Sequence, residues 1–133
     1  MIENDEQRIA LRPVLTLKTN LSKPEEVFQN TTLRPILKMQ HPLLIQVFYA
    51  YILKRRDTYF RMAKKDQMDW ITDSVRSDLR LRNQLCGMII GHFTTSELTI
   101  FLENEPDMVR RLTTMLIERL QSETFVQGIK GSS

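Results

Sequence analysis

With 133 residues, 41% of them hydrophobic and 26% charged, the chain has the length of one globular domain and enough apolar content to bury a core. Only 4 glycines and 5 prolines argue against a turn-rich β architecture, and a single cysteine, Cys86, excludes an intramolecular disulfide and a cysteine-based zinc motif and suggests a reducing compartment. The net charge of +3 is too mild for the concentrated basic surface of most nucleic-acid-binding domains.

The opening MIENDEQRIA is acidic and polar where a signal peptide would be basic and then apolar. The longest apolar runs, Leu43 to Leu53 and Leu85 to Phe93, fall short of the roughly 20 residues that span a bilayer. The expectation is a cytoplasmic protein with no membrane partner. Residues 3 to 12 read as a short amphipathic helix with Ile9 and Leu11 inward, ended by Pro13. Val14, Leu15 and Leu17 then alternate with Thr16, Lys18 and Thr19. With no second strand candidate, this stretch reads as an extended arm laid on the helices or paired across a dimer axis, so residues 1–20 form an N-terminal arm.

Ser22 and Glu25 have the spacing of a capping box, with Pro24 in the first turn, and open a helix whose inward residues are Val27 and Phe28. Asn30, Thr31 and Thr32 interrupt it and offer a fresh cap. Leu11-Arg12-Pro13-Val14-Leu15 is echoed by Leu33-Arg34-Pro35-Ile36-Leu37, but two copies are too few for a solenoid.

The segment from Thr32 to Arg56 organises the chain. Leu33, Ile36, Leu37, Leu44, Val47, Phe48, Tyr51 and Ile52 recur at three- and four-residue steps and fall on one broad stripe of a helix. Pro42 removes one backbone hydrogen bond at the carbonyl of Lys38, so the segment is either one kinked helix or two; the stripe keeps its phase across it, which favours the kink. Lys54, Arg55 and Arg56 suit the carboxyl end of this helix, and Tyr59, Phe60 and Met62 would carry it to about Ala63.

Asp66 reads as the cap of a helix from about Gln67 to Ser77, with Met68, Trp70, Ile71 and Val75 inward. Asp78 to Phe93 reads as the next, burying Leu79, Leu81, Leu85, Met88, Ile89 and Phe93. Gly87 and Gly91, four apart, would form a small-residue strip packed closely on the organising helix. Thr94 and Glu97 have the spacing of a second capping box and open a short helix carrying Leu98, Ile100, Phe101 and Leu102. Asn104-Glu105-Pro106-Asp107 opens the last one, with Met108, Leu112, Met115, Leu116, Ile117 and Leu120 inward. The helical domain is thus 21–127, and 128–133 reads as a flexible tail.

Few residues could carry chemistry. His41 and His92 are the only histidines, and no H-x-x-x-H, E-x-x-H or H-E-x-x-H spacing occurs, so neither a metal nor another cofactor is expected. As catalytic candidates they could pair with Glu97 or Glu103, in a small metal-dependent or lyase-type helical enzyme. Cys86, among apolar neighbours, reads as inert filler. P-loop, dinucleotide-binding and nucleophile-elbow motifs are absent. Nine basic residues lie between positions 54 and 82, interleaved with Asp57, Asp66, Asp69, Asp73 and Asp78, the pattern of a solvated, salt-bridged face. Within it, Arg76, Arg80 and Arg82 are candidates for phosphate contact in helix-turn-helix fashion. The methionines read as gap-filling, with a partner groove as the alternative.

TLRPILKMQHPLLIQVF, GMIIGHFT and IERLQ together resemble a set of short uncharacterised bacterial proteins sometimes labelled glyoxalase-like. The likeness spans roughly residues 8 to 121 and rests on packing motifs. It implies a small bacterial protein of unknown role, with no catalytic residue carried across.

The resulting expectation is an all-α single domain of about six helices packed around a long central helix. Functionally it reads as a non-enzymatic interaction or regulatory module that self-associates through its aromatic stripe or its N-terminal arm, or binds another protein.

Overall fold

The computed structural model describes residues 2–14 and 23–126. The arm from 15 to 20, Ser22 and the tail from 128 lie outside the described residues. Among those described there are seven helices and no strand. They are α1 (Ile2–Ala10), α2 (24–53), α3 (Arg56–Tyr59), α4 (Lys64–Ser77), α5 (Leu79–Ile90), α6 (Thr95–Glu103) and α7 (Glu105–Gln121). Helix α2 packs on α5 and α7, α4 packs on both of these, and α6 flanks α7. Among the described residues no helix is long and apolar enough to cross a membrane.

Helix α2 is longer than its periodicity suggests. It begins at Pro24, with Lys23 rather than Ser22 at the N-cap, and runs for 30 residues. Asn30, Thr31 and Thr32 do not end it. The interruption is absorbed as a π-helical turn over Gln29–Leu33. Asn30 Nδ2 donates to the carbonyl of Glu26, and Thr31 Oγ1 donates to that of Val27, so side chains suited to capping bond back along the helix instead. Pro42 is likewise contained. It and Lys38 share the exposed side, where water can serve the carbonyl that the proline leaves unpaired, and the helix is not split.

The stripe is used as the periodicity requires. Leu33, Ile36, Leu37, Leu44, Phe48 and Ile52 are fully buried, while Val47 and Tyr51 are half-buried at its margin. All six apolar residues expected inward on α7 are buried, as are Ile71 and Val75 of α4 and Leu81, Leu85 and Ile89 of α5. Aromatic rings close the core in two groups. Phe28, Phe93 and Phe101 meet near the start of α2. Phe48, Tyr51, Tyr59, Trp70 and Phe125 meet near its end.

Several expectations need correction. Helix α2 stops at Leu53, and Tyr59 reaches the core from the separate turn α3. Helix α4 starts three residues before Gln67, with Ala63 rather than Asp66 at the N-cap. Val27 and Leu79 are exposed. Gly87 and Gly91 do not pack on α2: both are exposed, and a Cβ at Gly87 would meet nothing within 4 Å. Leu81, Leu85 and Ile89 define the buried face of α5, and Gly87, two positions from Leu85, is on the opposite side. Close packing therefore does not offset its conformational freedom, and Gly87→Ala should raise stability by about 1 kcal/mol in urea denaturation. A loss instead would reveal a constraint on that face.

Helix α1 reverses the expected orientation. Ile9 is 54% and Leu11 66% exposed, while Asp5, Arg8 and Arg12 turn to the bundle. The reason lies in the corner between α5 and α6. The carboxyl end of α5 offers free carbonyls and the amino end of α6 offers free N–H groups. Arg8 donates to the carbonyl of Gly91 at 2.6 Å and Arg12 to that of His92 at 2.7 Å. Asp5 accepts from the N–H and hydroxyl of Thr95 at 3.2 and 2.6 Å.

Candidate functional site

Glu97 is the centre of this corner. The Thr94–Glu97 capping box forms in both directions: the Thr94 hydroxyl accepts from the Glu97 N–H, and Oε1 of Glu97 accepts from the Thr94 N–H. The same carboxylate takes two hydrogen bonds from the Arg12 guanidinium, at 2.7 and 2.8 Å, and one from the Thr32 hydroxyl at 3.3 Å. The pair is largely shielded, with 6% of the Arg12 side chain and 14% of the Glu97 side chain exposed. Burial pushes the Glu97 pKa up. The Arg12 hydrogen bonds, the Thr94 N–H, the Arg12 charge and the Thr32 hydroxyl together outweigh it and hold the carboxyl below its usual range. All of its partners are donors, and Arg12, just after α1, and Thr32 of α2 make Glu97 a latch that ties the N-terminal segment and α2 to α6.

His92 is adjacent, yet contributes its backbone carbonyl to the latch. Burial, then the charges of Arg8 and Arg12, lower its pKa and favour the neutral ring. His41 is on α2, paired instead with residues at the end of α7. Arg119 donates to Nδ1 at 3.2 Å; since a guanidinium can only donate, the ring proton sits on Nε2 and is given to Glu123 at 2.9 Å. Neither histidine is joined to the carboxylates considered as its partners, and Glu103 is exposed at the far end of α6. Among the described residues no three His, Cys, Asp or Glu side chains come together in a way that could hold a metal ion. Cys86 is buried, and burial pushes its thiol pKa up.

The three arginines considered for phosphate contact divide between two grooves. Arg80 borders one of about 340 Å³ that also carries Lys54, Arg55, Asp78 and Tyr51. There Arg55 lies over the Tyr51 ring, 3.7 Å from its centroid, and 4.0 Å from Asp78. Asp78 accepts from the Tyr51 hydroxyl and caps α5 through the Leu81 N–H. The cations of this groove therefore face a built-in carboxylate. Arg76 and Arg82 line a different groove, of about 230 Å³, joined by Arg110 of α7. Arg110 lies outside the basic stretch from 54 to 82 and was not among the sequence candidates; on α7 it pairs with Asp107.

Phe125 was also missed. After α7 ends, residues 123–126 fold back along α2, with the Phe125 ring 5.6 Å from that of Phe48 and the Val126 carbonyl accepting from the Tyr49 hydroxyl. The apolar pair Phe125-Val126 was the only local signal. No family model, no curated protein and no solved structure matches this chain.

Proposed function

We propose that this protein is an interaction module that associates with a second copy of itself through α1. The observation that carries the reading is the orientation of that helix. Asp5, Arg8 and Arg12 are spent on the corner between α5 and α6, while Ile9 and, just beyond the helix, Leu11 and Val14 are exposed. Amphipathic helices ordinarily bury their apolar residues, and here Ile9 of α1 and the neighbouring Leu11 and Val14 are left exposed. A two-fold axis lets the same exposed apolar residues serve both copies. The aromatic stripe, the other route considered for association, is occupied by internal packing among Phe48, Tyr51, Tyr59, Trp70 and Phe125.

Sedimentation velocity tests the reading. The wild-type chain should sediment as a dimer, and the double variant Ile9→Glu, Leu11→Glu as a folded monomer with unchanged circular dichroism. A wild-type monomer at all concentrations, or a dimer untouched by the double substitution, would refute it.

A further inference from the structure

We infer that the groove between α4, α5 and α7 binds a small phosphate-bearing molecule. Three helices each supply one arginine to it: Arg76 from the last turn of α4, Arg82 from the first half of α5 and Arg110 from the first half of α7. The rest of the wall is Pro106, Val109 and Thr113, and no carboxylate lines it. Arg110 is paired with Asp107, whereas among the described residues no carboxylate pairs with Arg76 or Arg82, and an oxyanion placed between the guanidiniums offsets their mutual repulsion.

The arginines are also set up to receive one. Arg82 is half-buried and donates through one nitrogen to the carbonyl of Arg76 at 3.2 Å, which orients the guanidinium while leaving its other donors available. Arg110 is steadied by Asp107, which also takes a hydrogen bond from Arg111. Arg76 is exposed, and among the described residues no polar partner engages its side chain. Planar guanidinium forks match phosphate oxygens in pairs, so one half-fixed, one steadied and one free arginine form a reasonable clamp for a dianion. Pro106 and Val109 supply an apolar wall for the carbon part of the ligand.

Size and charge layout favour a small ligand over a nucleic acid. The groove is about 230 Å³, and the other basic groove, with Lys54, Arg55 and Arg80, is separate and already holds Asp78. Binding to a duplex draws on many phosphates along a continuous basic track. Among the described residues the basic side chains are divided instead.

Calorimetric titration of the full chain with phenyl phosphate, at constant ionic strength set with chloride, is the direct test. Inorganic phosphate serves as a second probe and a short DNA duplex as a third. Saturable binding of phenyl phosphate is expected, weaker for inorganic phosphate. Arg76→Gln, an exposed change that leaves the fold alone, should weaken it at least about tenfold, as should Arg110→Gln, whereas Arg80→Gln should have no effect. The inference fails if phenyl phosphate gives no saturable signal, if Arg76→Gln and Arg110→Gln bind like wild type, or if Arg80→Gln is equally damaging. Duplex binding lost equally on changing Arg76 and Arg80 would assign the charge to a nucleic-acid track instead.

Discussion

Replacing Glu97 by alanine should cost roughly 2–4 kcal/mol and free α1 from the bundle. Three losses combine: the reciprocal capping box at the start of α6, the bidentate partner of Arg12 and the acceptor for the Thr32 hydroxyl. The larger part comes from leaving the Arg12 charge buried without a counter-charge, limited by the freedom of α1 to swing out and carry Arg12 into water. Glu97→Gln separates the contributions, because its amide oxygen can still accept from the Thr94 N–H while the ion pair is gone. It should fall between wild type and Glu97→Ala in urea denaturation. In hydrogen exchange, both variants should lose protection over residues 2–14. Full protection there in Glu97→Ala would mean that Asp5 and Arg8 hold α1 without the latch.

Acid should loosen the same corner. Glu97 has a lowered folded pKa, so its contribution is present above the ordinary value of 4.5 and is lost as pH falls through the folded value. His92 is also lowered, because burial and the cations Arg8 and Arg12 disfavour the imidazolium. Its contribution is complete above its ordinary value of 6.5 and declines as pH drops below that toward the folded value. Exchange over residues 2–14, corrected for intrinsic rates, should therefore rise below pH 6.5, and His92→Gln should remove that first step.

Phe48→Ala should cost about 3–5 kcal/mol, a large share of the roughly 5–15 kcal/mol that stabilises a typical domain. Phe48 is fully buried on α2, and its ring lies 5.6 Å from Tyr51, 6.1 Å from Trp70 and 5.6 Å from Phe125. Those partners come from α2, α4 and the segment after α7, so a cavity here cannot be filled by moving one element. Trp70 fluorescence should report the loosened packing before global unfolding. A cost below about 1 kcal/mol would show that these rings lie outside the cooperative core.

Local chemistry made much of the helical architecture legible. The Thr94–Glu97 box needs residues only three apart, and Asn104 to Asp107 carries its own stop and start, so both short-range signals survive into the fold. The inward residues of α7 and of the central stripe follow from the helical repeat and from the requirement that apolar faces be covered. Where a polar residue could either cap or bond back, as at Asn30 and Thr31, local pattern was ambiguous and tertiary packing chose the continuous helix.

The sequence by itself determined that this chain folds into helices around the stripe from Leu33 to Ile52, because periodicity and helix-start chemistry act between neighbours. Only the tertiary structure decided that Asp5, Arg8 and Arg12 turn to the bundle while Ile9 is left exposed, that Gly87 faces away from α2, that Glu97 is a latch, and that Arg76 and Arg82 share a groove with Arg110 rather than with Arg80. Each of these depends on which free carbonyl, N–H group or charge another helix brings alongside, a relation between residues up to 90 positions apart that no local pattern encodes.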